Sequence, residues 1–478
     1  VGQANRPQVI NTLCQRGSAL VLSADAFLQP SLQKKRHTIR TMTSSPKSPT
    51  VAQKQATPAL DLPNAIRSET TGTWAHDTMS RRVNAEILER TYQDNREQFE
   101  QWPEVLQKFN KLRSELQDAA NVALTYPKEA SSKEQQLEVE QWKEMLKPHV
   151  EAGETWLSSP WMVAEFYVYR RLMDCLGYWD ESSRGYLYDP FYKQKRAGLE
   201  SSTASAESVL SRVSQLPPTN DGLQVALSMP LLGNKMDLSL WPADANMNED
   251  VFAGILEKAH ENLLHDDSEA VAQHCAGLRE NGGGMVDIIV DNAGFEVVTD
   301  LAAAQFLIDS KIAKTVTFQL KSHPTFVSDA LEKDLLETVD YYCALDPTKF
   351  PAAQSAGIKW KGYLASGQWK CVDNAFWVQG APMWKMHSPL HDDLKTRCDL
   401  AIVKGDANYR RLLGDLEWEL SSPFDQVVGA YFPCPVCALR MLKAEIGCGM
   451  APEQTERASK EDANWMVNGR YGVVHFSK

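Results

Sequence analysis

Three short, β-branched apolar runs in the second half of the chain narrow its fold more than any other feature. They are Met285-Val-Asp-Ile-Ile-Val290, Thr315-Val-Thr-Phe-Gln-Leu320 and Leu400-Ala-Ile-Val403. Runs of this length and content read as buried strands. Helical stretches lie between and after them, from Glu296 to Asp309, from Asp329 to Ala344, and over a short segment starting near Asp406. Val436 to Ile446 and Tyr471 to Phe476 supply the last strand candidates. Alternation of buried strand and helix predicts a largely parallel sheet covered on both faces.

The first half has a different character. From Thr78 to Leu216 apolar residues recur at helical spacing among Glu, Gln, Lys and Arg. Trp161 to Leu176 is the most apolar of these helices and follows Ser158-Ser159-Pro160, residue types favoured at a helix start. Its Glu165, Arg170 and Arg171 are expected to form structural ion pairs. The expected fold class is α/β: a mainly helical N-terminal domain over residues 58–280, packed on a Rossmann-like α/β/α sandwich over residues 281–478. Residues 1–57 carry one acid, Asp25, against eight Lys and Arg. They read as a disordered basic tail, with a transit peptide as the alternative.

Composition excludes several classes of function. With 62 acidic against 50 basic side chains the formal net charge is −12, which disfavours a nucleic-acid partner. No run approaches the roughly 20 apolar residues that span a bilayer, so no membrane partner is expected. Nine cysteines without framework spacing fit reduced thiols and a cytoplasmic protein. A nuclear pool, or a mitochondrial address carried by the tail, are the alternatives.

In an open parallel sheet ligands bind beyond the carboxyl ends of the strands. Asp291 and Asn292 follow the first run, Asp329 follows the second after His323-Pro-Thr-Phe-Val-Ser328, and Lys404-Gly-Asp406 closes the third. Asp291, Asn292 and Asp329 offer two carboxylates and a carboxamide oxygen, hard donors suited to Mg²⁺ or Mn²⁺. A metal there would orient and polarise a phosphate. Either aspartate could equally be a helix N-cap. In Lys404-Gly-Asp-Ala-Asn-Tyr-Arg410, Gly405 permits close backbone approach, Arg410 is able to grip oxygens, and Asn408 and Tyr409 are able to meet sugar hydroxyls. Arg440 and Lys443 would point to opposite faces of a strand, and the residues alone do not say which reaches a phosphate.

Two other readings fail on spacing. Asp291-Asn-Ala-Gly294 resembles a short-chain dehydrogenase turn, but Gly282 to Gly284 precede their strand and cradle no phosphate. Asp287 and Asp291 do not form the Asp-x-Asp of haloacid-dehalogenase phosphatases. Cys434-Pro-Val-Cys437 lacks a second pair and is expected to be structural.

The blocks DNAGFEVVTDLAAAQFL, FVSD, KGDANYRRLLGDLEWE and LRMLKAEI resemble, in order, the signatures of the DUF89 family, in its acidic-residue methyltransferase-like branch, damage-control phosphatase subfamily III. SSPWMVAEFYVYRRL and LLGNKMDLSL are similar to that branch's helical part, and the similarity runs from about Thr78 to the C-terminal strand. The resemblance implies phosphatase activity on sugar phosphates such as fructose 1-phosphate, with Mn²⁺, Co²⁺ or Ni²⁺ held by Asp291, Asn292 and Asp329, Mg²⁺ being the further option. It implies catalytic roles for Asp291, Asp329 and Lys443. Substrate contacts are implied for Asp291, Asn292, Glu296, Asp406, Ala407, Asn408, Tyr409, Arg410 and Lys443. An S-adenosylmethionine-dependent carboxyl methyltransferase is the alternative attached to the same branch. The chain departs from the usual Arg-Thr-x-Lys with Arg440-Met-Leu-Lys443, which removes a hydroxyl near the expected phosphate.

Overall fold

The computed structural model describes residues 57–232 and 261–478. The expected basic tail and most of LLGNKMDLSL lie outside these residues. The sheet has seven strands: β1 (Leu263–Asp266), β2 (Gly284–Ile289), β3 (Ala313–Lys321), β4 (Trp369–Asn374), β5 (Leu400–Lys404), β6 (Val436–Met441) and β7 (Gly472–Ser477). Their spatial order is β1-β7-β6-β5-β2-β3-β4, and only the β6–β7 pairing is antiparallel. β1 and β4 were not anticipated. β1 is four residues long and β4 is half-exposed, so neither carries the continuous apolar run that marks a central strand.

Strand side chains alternate between two apolar layers. Val286, Ile288, Val290, Leu400 and Ile402 face one core, beneath the helices Thr203–Val213, Asn220–Leu232, Ser268–Glu280, Phe295–Asp309 and Pro351–Ser366. Ile289, Ala401 and Val403 face the other, shared with the helix Trp161–Leu176 and the N-terminal helices. The α/β sandwich is present, and segments on the N-terminal side of residue 280 contribute to it. β1 and the helix Ser268–Glu280 belong to the sheet and its cover, and the helices spanning 203–232 pack on the sandwich. All described residues fall in one compact unit, Lys54–Lys478. Among them, no helix is long and apolar enough to cross a membrane.

Strand order reverses between β2 and β5, which places the ligand crevice of an open sheet at their carboxyl ends. The same end of the sheet carries an unusual buried charge. Asp300, on the helix Phe295–Asp309, is 1% exposed and neither carboxylate oxygen has a hydrogen bond. Lys404 Nζ lies 3.4 Å from Oδ1, inside ion-pair range but off hydrogen-bonding geometry. Burial, helped by nearby Glu296 and opposed by Lys404, pushes the Asp300 carboxyl up to about 7. The folded protein therefore keeps this proton between roughly pH 4 and pH 7 while the unfolded chain has lost it. Stability falls as pH rises through that window, by up to about 4 kcal/mol. Asp300→Asn is expected to flatten this slope, so that in urea unfolding the variant gains on the wild type between pH 5 and pH 8. Parallel stability curves for the two proteins would remove the assignment.

Candidate active site

The carboxyl ends of β3, β2, β5 and β6 bring together most of the residues expected there. Asp291 follows β2, and the helix after it starts at Phe295 behind Gly294, whose φ of 69° suits glycine. Asp329 does not start a helix either. The following helix, expected from Asp329, begins at Glu332 and is capped by Asp334, whose carboxylate accepts from Leu331 N at 2.9 Å. Neither aspartate is a helix cap.

The loop from Ser322 to Ala330 folds Asp329 back onto Asp291. Asn292 and Asp329 form an antiparallel bridge, Ala330 N donates to Asp291 O at 2.8 Å, and Ala293 N donates to Ser328 O at 2.7 Å. Phe326 and Val327 hold positive φ of 45° and 67° to make the turn, a costly conformation for a β-branched residue. Asp291 and Asp329 are 7% and 2% exposed. Burial raises the Asp291 carboxyl well above its ordinary range, and Asp329 and Glu296 push it in the same direction. Burial likewise pushes Asp329 up to about 6, against the pull of Lys321, whose Nζ is 3.3 Å from Oδ2. That oxygen has no well-formed hydrogen bond.

Asn292 sits between the acids. Its Nδ2 donates to Asp291 Oδ2 and Glu296 Oε2, both at 2.9 Å, and its Oδ1 accepts from Ser328 Oγ at 2.6 Å. Turning the carboxamide over would present Oδ1 to the carboxylate side and Nδ2 to the Ser328 hydroxyl, which accepts as well as donates. The donor set therefore fits a hard divalent cation: two buried carboxylates, one oxygen of which lacks a hydrogen bond, and a carboxamide able to present its oxygen. Among the described residues, no group of three or more His, Cys, Asp or Glu side chains is gathered as a metal centre, and the third donor here is an amide.

β5 turns sharply at Gly405, where φ is 85° and a Cβ would fall on the Asp291 carboxylate. No other residue fits beside that acid. Asp406 then accepts from Arg440 Nε at 2.7 Å and from Lys443 N at 3.2 Å, which fixes the segment leaving β6. The strand ends at Met441, and this separates the two cations that sequence left equivalent. Arg440 is 1% exposed and donates to Asp406, Ile446 O and Ala444 O, so it is structural. Lys443 is exposed, and among the described residues its amine has no hydrogen bond or ion pair.

Three of the residues expected to meet substrate engage partners within the fold. Arg410 is 3% exposed, with its guanidinium bonded to Glu165 at 2.6 Å and to Asp415 at 2.8 and 3.0 Å, and stacked 3.6 Å over Trp161. It borders the cleft but ties the helical layer to the sandwich. Asn408 is fully buried, bonded to Lys321, Val290 O and Lys404 O. Tyr409 turns its hydroxyl inward to His475 and Cys448. From the short helix Asp406–Leu412, Asp406, Ala407 and Arg410 line the cleft. Glu296 lines the cleft and is held by Asn292 and, at 3.3 Å, by Lys404. Cys434 and Cys437 are buried free thiols.

Two cavities meet at Asp291, Asp406 and Lys443. One of about 330 Å³ lies over Glu296, Lys404, Leu439 and Met441, so the methionine that replaces the usual threonine faces it. The other, about 390 Å³, runs over Asn292, Asp329 and Ala407 to a wall made by Trp74, Thr78, Arg82 and Tyr169. That wall and Lys321 were missed from sequence. Lys321 closes an apolar strand run and reads there as its polar boundary. The wall residues sit in helices whose charge pattern looks like ordinary surface.

The family described as damage-control phosphatase ARMT1-like domain matches residues 76–458. The chain is 33% identical over 391 residues to damage-control phosphatase ARMT1 of Danio rerio, covering 77% of this chain and 84% of that protein. Against the Homo sapiens protein of the same name it is 28% identical over 452 residues, covering 87% and 98%. A crystallised DUF89 family protein from Pyrococcus horikoshii is 15% identical with a TM-score of 0.39, covering 79% of this chain and 98% of that one. The chain belongs to the damage-control phosphatase ARMT1-like family.

Proposed function

We propose that the protein is a metal-dependent phosphomonoester hydrolase acting on small phosphorylated metabolites, sugar phosphates among them. The observation that carries this reading is the pair Asp291 and Asp329, two carboxylates buried together at the strand ends, near a lysine whose amine makes no hydrogen bond or ion pair among the described residues. Buried like charges are costly unless a cation compensates them. A divalent cation held by Asp291, Asn292 and Asp329 would polarise a phosphoryl group and acidify a water. Mn²⁺, Co²⁺, Ni²⁺ and Mg²⁺ all suit these oxygen donors.

The chain's own residues account for the rest. Lys443 offers its ammonium to the phosphate oxygens, and Asp406 holds the backbone that carries it at 3.2 Å. Lys321 holds Asp329 and Asn408 together and so keeps the Ser322–Ala330 loop against β2. Cavities of about 330 and 390 Å³ suit a small metabolite.

The test is initial-rate measurement over sugar and aryl phosphates with each of the four cations. Cation-dependent hydrolysis is expected, with Asp291→Ala and Asp329→Ala slowed by at least about a hundredfold. An Asp291→Ala protein that works at the wild-type rate would sink the assignment. In parallel, Mn²⁺ at about 100 times its Kd should stabilise the wild type by roughly 2.7 kcal/mol in urea unfolding. Asp329→Ala should show no such gain.

A further inference from the structure

The wall of the larger cavity, opposite the carboxylates, has no role in the scheme so far. It is built by the segment Thr78–Leu88, which is π-helical, and by the helix Trp161–Leu176. A π-helix bonds i to i+5, so residues four or five apart share a face, and such helices recur at functional sites. Thr78, Arg82 and Ile87 follow that spacing and all three line the cavity. The same segment as a regular α-helix would keep Thr78 and Arg82 on one face but turn Ile87 away from them.

Two hydroxyls on this wall lack partners. Thr78 is 2% exposed and its Oγ1 is buried without a hydrogen bond. Tyr169 is 1% exposed, and among the described residues its phenol makes no hydrogen bond. Buried polar groups are normally satisfied, so unpartnered hydroxyls lining a cavity point to a ligand. Between them stands Arg82. Its neighbour Arg81 is engaged through three hydrogen bonds, two to Asp77 at 2.8 Å and one to Glu86 at 2.5 Å. Arg82 makes one, Nε to Glu86 at 3.2 Å, and lies 4.3 Å over the Trp74 ring. Its two terminal nitrogens make none among the described residues. With Arg410 committed to Glu165 and Asp415, Arg82 and Lys443 are the cations of this cavity with donors to spare.

Resting on the phosphatase reading, we infer that Arg82 selects substrates carrying a second anionic group, a carboxylate or a second phosphate, at the end remote from the phosphate that is cleaved. Tyr169 meets the hydroxyls between the two anions. Lys443 and the carboxylate pair take the scissile phosphate, so the ester lies across the cavity with its far end on the π-helix. Guanidinium donors on a carboxylate or phosphate are strong enough to set a preference of about tenfold to a hundredfold.

The experiment compares kcat/KM for three esters: a hexitol phosphate, the matching hexonate phosphate in which the far CH₂OH is a carboxylate, and the hexitol bisphosphate. Wild type should favour one or both doubly anionic esters over the hexitol phosphate by at least about tenfold. The two arms say which anion is read. Arg82→Met should bring that ratio close to one, and Arg82→Lys should restore part of it. A purely structural arginine would lower all three values together and leave the ratio standing. An active enzyme with no preference, or a preference that survives Arg82→Met, overturns this inference and leaves the phosphatase reading intact. A wild type inert towards every ester with every cation overturns both.

Discussion

Two carboxylates held below the surface at the ends of neighbouring strands set the terms for everything around them. Burial raises the proton affinity of both Asp291 and Asp329; Asp329 and Glu296 add to it at Asp291, and Glu296 adds to it at Asp329. The structure tolerates this because three lysines stand near them. Lys321 is within 3.3 Å of Asp329, Lys404 ties Glu296 and Asp300 on the next helix, and Lys443 faces Asp291 from the solvent side. Gly405 clears the space that Asp291 fills. The acids are thus held apart from water without being neutralised by direct hydrogen-bonded partners, which is the condition a cation site needs.

The helical layer belongs to the same arrangement. Arg410 leaves the sandwich to bond Glu165 and stack on Trp161, and Phe326 of the site loop packs against Phe166 and Tyr169 at ring distances of 4.6 and 4.8 Å. The helix Trp161–Leu176 therefore braces the loop that carries Asp329. It also turns Tyr169 into the cleft, so one element supports the chemistry on one side and borders the substrate on the other. Function and stability are coupled there through packing and a buried ion-pair network.

Sequence was most informative where a physical period was strong. The runs before Asp291 and Lys404 are central strands, apolar on both faces, and their position was legible from composition alone. β1 and β4 were not, because short or half-exposed strands leave little pattern. At the site, the placing of Asp291 and Asn292 beyond a strand end was legible, whereas the difference between Arg440 and Lys443 and the side-chain directions within Asp406–Leu412 were not. A seven-residue helix gives no face to read, and the burial of Asn408, Tyr409 and Arg410 is set by distant partners: Val290, His475 and Glu165. The wall at Thr78 and Arg82 was hidden for a related reason. Ile87 joins Thr78 and Arg82 on one face only in a π-helical register, and sequence periodicity was read at 3.6 residues per turn.

The central claim is that the buried acids exist to hold a cation. Anomalous diffraction at the manganese edge, from crystals equilibrated with Mn²⁺, addresses it most directly. The account predicts a single strong peak within roughly 2.0–2.6 Å of carboxylate oxygens from both Asp291 and Asp329, with the Asn292 carboxamide turned to present Oδ1. Saturating Mn²⁺ with no peak between those two acids would contradict it.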